Sequence, residues 1–206
     1  MKLHRVYKIE TERLVIRCYH PEDAIQLHSA ITQSLDHLLP WMPWAKDEPT
    51  DLETKISLLR TFRGSFDLGT DYPYGIFTKK EQKLIGSTGF HIRSKEEKTR
   101  EIGYWLHIEH INCGFAIEAV SALIQVGFLA EGLEQIEILC HIENIRSQHI
   151  PKKLGFTLKC ITEKEDASGN LQSIMNWSTH KSAFFEHQES YHKIHAFDIL
   201  GRAIIL

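Results

Sequence analysis

The chain has 206 residues, of which 42% are hydrophobic and 25% charged, and a formal net charge of −3. That length suits a single core. A slightly acidic balance without a basic run gives no general attraction to nucleic acid, and no apolar stretch approaches the roughly 18 residues of a membrane span.

The N-terminus, Met1-Lys2-Leu3-His4-Arg5, leads into mixed polar sequence without an apolar h-region, so no secretory signal is expected. Residues 14–18 read as a strand, and Pro21 opens a helix running to about Gln33. Trp41 and Trp44 follow in a proline-flanked segment. Thr50-Asp51-Leu52-Glu53 reads as a capping box opening a helix through Arg63. Residues 74–77 and 84–92 read as strands around a turn at 79–83, with another connection at 94–99.

The stretch from Glu101 to Ala130 is the most informative part of the chain. Residues 102–108 are strand-like, and Asn112, Cys113 and Gly114 make a turn. Ala116, Ala119, Val120, Leu123, Ile124 and Phe128 then recur with the spacing of one buried helix face. Where a helix follows a strand and a glycine turn, unpaired amides converge at the positive end of the helix dipole. Such a site suits a phosphate-bearing cofactor. The next elements are a strand at 136–142, a short helix to Leu154 and a final hairpin around Asp166–Asn170. Alternating elements of this kind imply an α+β fold. Its mostly antiparallel, strongly bent central sheet of about six or seven strands would carry helices on both faces.

The turn, Ile111-Asn112-Cys113-Gly114-Phe115-Ala116-Ile117-Glu118-Ala119, resembles the acetyl-coenzyme-A loop of the GNAT superfamily of N-acetyltransferases, in its RimJ/RimL branch. Gly114, Ala116, Glu118 and Ala119 match. Ile111 stands where the superfamily usually has Gln or Arg, and Asn112 where it has its first glycine. Asn is the non-glycine residue that most readily takes positive φ, so the turn should survive that change. Three other segments resemble the same branch: Thr11-Glu12-Arg13-Leu14 with Pro21-Glu22-Asp23, Leu39-Pro40-Trp41, and the run from Ile136 to Phe156 with Asn144, Ser147 and Leu154-Gly155-Phe156. The resemblance covers about residues 10–180. Residues 1–186 are therefore expected to form one GNAT domain. Residues 187–206, with Ile194, Phe197, Ile199, Leu200, Ile204, Ile205 and Leu206, should be an apolar extension packed on that domain or against the partner in a homodimer.

The resemblance implies acetyl-CoA as cosubstrate, no metal, and a primary amine as acceptor, attacked directly. A protein N-terminal α-amine is the expected acceptor, as for ribosomal proteins. A small amine such as a polyamine, amino sugar or antibiotic is the alternative, and a catalytically silent acyl-CoA-binding module is a further one. It also implies that the pyrophosphate rests on Asn112, Cys113, Gly114, Phe115 and Ala116. A backbone N–H in the region of Leu106 and Ile108 would polarise the thioester carbonyl. Asn144 and Ser147 would meet the pantetheine and its sulfur, and Lys153, with Arg146 and Lys152, the 3′-phosphate. Pro151 lies four residues after Ser147, so the Ser147 carbonyl lacks its helical N–H partner and the helix should kink or start late.

An α-amine has an ordinary pKa near 7.7–8.0, so a weak base suffices. Glu101 is the candidate base, because alternation places Glu101, Gly103, Trp105 and His107 on one strand face. His107 is the second candidate by its intrinsic pKa. Ser147 is the candidate acid. The four cysteines lack C-x-x-C spacing, which fits a reduced, cytoplasmic setting. His107, His110 and Cys113 are too sparse to argue for a metal.

Overall fold

Alternation along the strands decides which helix covers which face of the sheet. Strands β1 (Lys8–Glu10) and β2 (Leu14–Cys18) are followed by α1 (Ala24–Leu38), α2 (Leu52–Leu68), β3 (Tyr72–Thr78), β4 (Leu84–Ser94) and β5 (Thr99–Leu106). Then come α3 (Phe115–Leu129), β6 (Gln135–His141), α4 (Ile145–Lys153), β7 (Thr157–Glu165), β8 (Leu171–His180), α5 (Lys181–Glu186), β9 (His195–Phe197) and β10 (Ala203–Ile204). Val15 and Phe77 pack with Leu27 and Ile31 of α1 and Leu59 of α2. Their neighbours Leu14, Ile16 and Ile76 face the other way, onto Val120, Leu123 and Ile124 of α3. A period of two in the strands thus separates two helical layers. This computed structural model describes residues 5–94, 96, 98–165, 171–186 and 191–206.

The strands form one sheet in the order β10-β9-β1-β2-β3-β4-β5-β6-β8-β7. Every neighbouring pair is antiparallel except β5 and β6. Ten strands replace the expected six or seven. The extra ones, β1, β9 and β10, have two or three residues each, too few for a period to register. β7 and β8 pair as the expected hairpin does, and its turn at residues 166–170 lies outside the described residues.

Three helix boundaries differ from expectation, the first being the end of α1 at Leu38, five residues past Gln33. The cap of α2 is Asp51, whose side chain accepts from the Thr54 N–H at 2.7 Å, one residue after the expected Thr50. Thr50 is drawn away by the buried Glu48–Lys55 pair, with its own hydroxyl 2.7 Å from Lys55 Nζ. α2 also runs five residues past Arg63, to a left-handed cap at Gly69.

The extension from Ile194 onward adds strands to the sheet edge. β9 pairs with β1, the Tyr7 N–H donates to the Phe197 carbonyl at 2.8 Å, and Ile194 and Ala196 are buried. Deleting residues 190–206 bares β1 and removes one buried isoleucine, worth about 1.5–3 kcal/mol. A melting temperature lower by about 5–10 °C is expected in calorimetry. An unchanged value would show that the tail contributes nothing to this fold.

Candidate active site

β5 and β6 run parallel but pair only where residues Thr99 to Glu101 meet Gln135 to Glu137. Beyond that point they separate, and a cleft opens between them. The His107 N–H donates to the Ile85 carbonyl, so Leu106 and its partner Gly86 form a non-hydrogen-bonded pair of the β4–β5 ladder. The Leu106 N–H therefore turns away from β4, into the gap, and Leu106 lines the cleft.

At the mouth of the cleft the chain reverses through two left-handed residues, Asn112 at φ 59° and Gly114 at φ 80°. The positive φ expected of Asn112 is present. The first backbone bond of α3 runs from the Glu118 N–H to the Gly114 carbonyl, which leaves the amides of Phe115, Ala116 and Ile117 without helical partners. Asn112, Gly114 and Ala116 line the cleft. Glu118 braces the turn from behind. Its carboxylate accepts from Thr11 Oγ1 (2.5 Å) and from the Arg13 N–H (3.0 Å) and Nε (2.6 Å). Arg13 Nη1 in turn donates to the Cys113 carbonyl (3.0 Å), and its guanidinium stacks over the Phe115 ring. The Cys113 carbonyl and the Phe115 ring are thus engaged by Arg13 behind the turn. A carbonyl is drawn outward while amides face inward, an arrangement that fits a pyrophosphate.

The opposite wall is the start of α4. Asn144 caps it, its Oδ1 accepting from the Ser147 N–H at 3.0 Å, and both residues line the cleft. Pro151 does not delay the helix, which runs through it from Ile145 to Lys153. The Ser147 carbonyl that Pro151 leaves without a partner accepts instead from the Tyr104 hydroxyl at 3.1 Å, and Tyr104 Oη is 3.0 Å from Ser147 Oγ. Burial holds the Tyr104 phenol well above its ordinary range. It therefore stays protonated and donates.

Three expected site residues, His107, Ile108 and Lys153, fall elsewhere. β5 ends at Leu106, and His107 is buried under a short turn against α1 instead of lining a cleft. Its Nδ1 accepts the Glu109 N–H at 3.2 Å, so Nε2 carries the proton and donates to Gln33 Oε1 at 3.0 Å. Burial also lowers its pKa. With both nitrogens engaged, His107 is a structural residue rather than a base. The Ile108 N–H donates to Ser34 Oγ at 3.1 Å, which leaves Leu106 as the residue of that pair facing the cleft. Lys153, near the exposed end of α4, does not line the cleft, whereas Arg146 does.

The residues of GNAT character are matched as a family: residues 13–157 match the acetyltransferase (GNAT) domain. The chain belongs to the GNAT family. Among GNAT relatives it is 29% identical over 148 residues to the uncharacterised N-acetyltransferase YoaA of Bacillus subtilis, covering 72% of this chain and 81% of that one. It is 30% identical over 129 residues to the ribosomal-protein-serine acetyltransferase of Escherichia coli, covering 61% of this chain and 71% of the relative. The fold matches the microcin C7 self-immunity acetyltransferase MccE, solved with acetyl-CoA and AMP, with a TM-score of 0.75 at 22% identity, over 82% of this chain and 93% of that one. This GNAT protein is an acetyl-CoA-dependent N-acetyltransferase.

A second cleft meets the first. Trp41, Met42, Tyr104, Trp105, Asn144 and Ser147 line both. The second runs over the open face of β4 and β5, past Glu101 and His91, with Trp44 packed 6.0 Å from Trp105. Glu101 lines it, and its Oε2 is held by Arg93 Nε at 2.7 Å. Sequence reasoning missed Tyr104, whose partner lies 43 residues away. It also missed Asp71 and His91, twenty residues apart. Only the alternation that places His91 beside Glu101 could have signalled the latter. Burial raises the Cys140 thiol and pushes Cys18 up to about 12, so neither is poised as a nucleophile. Ligand atoms of His107, Glu109 and His110 lie within 4.8 Å of one another, but Lys83 Nζ sits 2.9 Å from Glu109 Oε2 and supplies the positive charge there.

Proposed function

We propose that this enzyme acetylates a protein N-terminal α-amine. The observation that carries this is the meeting of the two clefts at Tyr104 and Trp105: one ends at the anion-binding turn, and the other is a larger cleft lined by Trp41, Trp44, Phe62 and Trp105. Similarity to the ribosomal-protein-serine acetyltransferase supports the same acceptor class.

Acetyl-CoA supplies an activated acyl carbon and a thiol leaving group. The amides of Phe115, Ala116 and Ile117 would hold its pyrophosphate, and Arg146 on the cleft wall is placed for a further phosphate. The Leu106 N–H would donate to the thioester oxygen as negative charge develops there. Tyr104 and Ser147 keep a proton beside the leaving sulfur. Trp41, Trp44 and Trp105 exclude water and orient the acceptor. Glu101 lines the cleft that would receive the amine.

A thiol-release assay comparing peptides that begin with serine against polyamines, amino sugars and aminoglycosides tests the reading. A kcat/KM for the best peptide at least about tenfold above every small amine is expected. The reverse order would assign a small-amine acceptor. Acetyl-CoA binding without thiol release for any amine would leave only a binding module.

A further inference from the structure

His91 and Asp71 form a pair that the reading above leaves unused. His91 Nδ1 lies 3.1 Å and 3.2 Å from the two carboxylate oxygens of Asp71. A carboxylate only accepts, so Nδ1 carries the hydrogen, and the neutral ring keeps its lone pair on Nε2. Nε2 lies beside Gly103 of β5: a methyl group built on Gly103 would lie 3.2 Å from it and meet nothing else within 4 Å but the same ring. The missing side chain at Gly103 therefore leaves room on the cleft floor, and the imidazole leans into it. Gly103 directly precedes Tyr104 and Trp105, where the donor and acceptor clefts meet. At about 3.3 Å per strand residue, Gly103 lies about 7 Å from Trp105 and about 10 Å from Leu106, a span that one water between the amine and Nε2 closes.

We propose that the His91–Asp71 dyad is the general base of this enzyme. The proposal rests on the acetyltransferase reading but not on which amine is the acceptor. As the amine nitrogen bonds to the acyl carbon, its proton passes through the bridging water to His91 Nε2. The C–S bond then breaks, and the departing sulfur takes the proton held by the Tyr104–Ser147 pair. His91 afterwards releases its proton to solvent, which reprotonates that pair. Asp71 fixes the tautomer and stabilises the imidazolium, the role a carboxylate plays beside a catalytic histidine.

The charged groups around the ring are Asp71 ahead of β3, Arg93 on its own strand and Glu101 directly across on β5, with Lys164 and Glu165 of β7 at the rim of the same cleft. The Asp71 hydrogen bond, helped by the charges of Asp71 and Glu101, outweighs burial and Arg93 and raises the His91 pKa above 6.5, toward that of an α-amine. Glu101, held by Arg93, acts through His91 by adding negative charge.

The test uses the full chain and whichever amine the wild-type enzyme acetylates. His91→Gln should lower kcat by about 100-fold or more and abolish the acidic limb of the pH–rate profile, with the acetyl-CoA dissociation constant within about twofold. Asp71→Asn should move that limb to lower pH, and the His91 imidazole resonance should titrate above 6.5 in the wild type and lower in this variant. Glu101→Gln should lower kcat by less than about tenfold and keep the limb. Imidazole added to His91→Gly should restore part of the rate. If the wild type is active while His91→Gln keeps kcat within threefold and the limb intact, the dyad is only a tether between β3 and β4. If Glu101→Gln alone removes the limb, Glu101 is the base. A wild type that releases no thiol with any amine fails the acetyltransferase reading itself, and the dyad proposal with it.

Discussion

Replacing Gly114 with valine is expected to weaken acetyl-CoA binding by at least about tenfold, because two effects act at one backbone position. Gly114 sits at φ 80°, where a β-branched residue is strained by roughly 1–3 kcal/mol. It is also the residue from which the cleft-facing amides of α3 depart. Relaxing that strain swings the first-turn N–H groups off the positions a pyrophosphate needs, and each 1.4 kcal/mol lost is about tenfold in affinity. The added Cβ would stand 3.4 Å from Arg13 Nη2, an ordinary contact, which leaves the γ-carbons of valine to press on the brace that turns the Cys113 carbonyl outward. Isothermal calorimetry with CoA and acetyl-CoA measures the change directly. Unchanged affinity in a folded variant would mean that the phosphates bind elsewhere. Gly114→Ala should fall between valine and wild type, since it keeps the φ penalty without the branched carbon.

What the sequence made legible follows from the range over which each signal acts. The turn from Asn112 to Gly114 could be read because its requirement is local: two consecutive peptide units need residues that tolerate positive φ, and the chain shows which it has. The helices were legible by period and their ends less so. Thr50 and Asp51 are both good caps, and only the distant partners Glu48 and Lys55 decide that Thr50 is used elsewhere. His107 shows the limit of strand alternation. At His107, which still donates its N–H to the Ile85 carbonyl, the strand ends in a short turn and Gln33 of α1 takes up the side chain, a distant contact that alternation does not encode. Asp71 pairs with His91, and Tyr104 with Ser147, because the sheet folds distant segments together. No spacing rule in a single sequence encodes either contact.

Pro151 provides the second large effect, through a chain of consequences that begins with a missing proton. A proline at this position removes the N–H that would normally close on the Ser147 carbonyl. Tyr104 supplies the replacement donor from β5, and the same hydroxyl then rests against Ser147 Oγ at the wall shared by both clefts. Tyr104→Phe should therefore do two things. It leaves a carbonyl unsatisfied, which should cost about 1–3 kcal/mol in denaturant unfolding. It also removes the partner that holds the Ser147 hydroxyl beside the leaving sulfur, so kcat should fall by about 100-fold while the acetyl-CoA dissociation constant changes by less than about threefold. Pro151→Ala separates the two. With the helical N–H restored, Tyr104→Phe should lose little stability in the Pro151→Ala background, yet turnover should stay low, because the hydroxyl beside Ser147 is still missing. A double-mutant cycle in stability then shows a coupling of about 1 kcal/mol or more between residues 104 and 151. If the two stability effects simply add, Tyr104 is not the donor that Pro151 requires. If Tyr104→Phe keeps full turnover, the proton for the departing thiolate comes from another group.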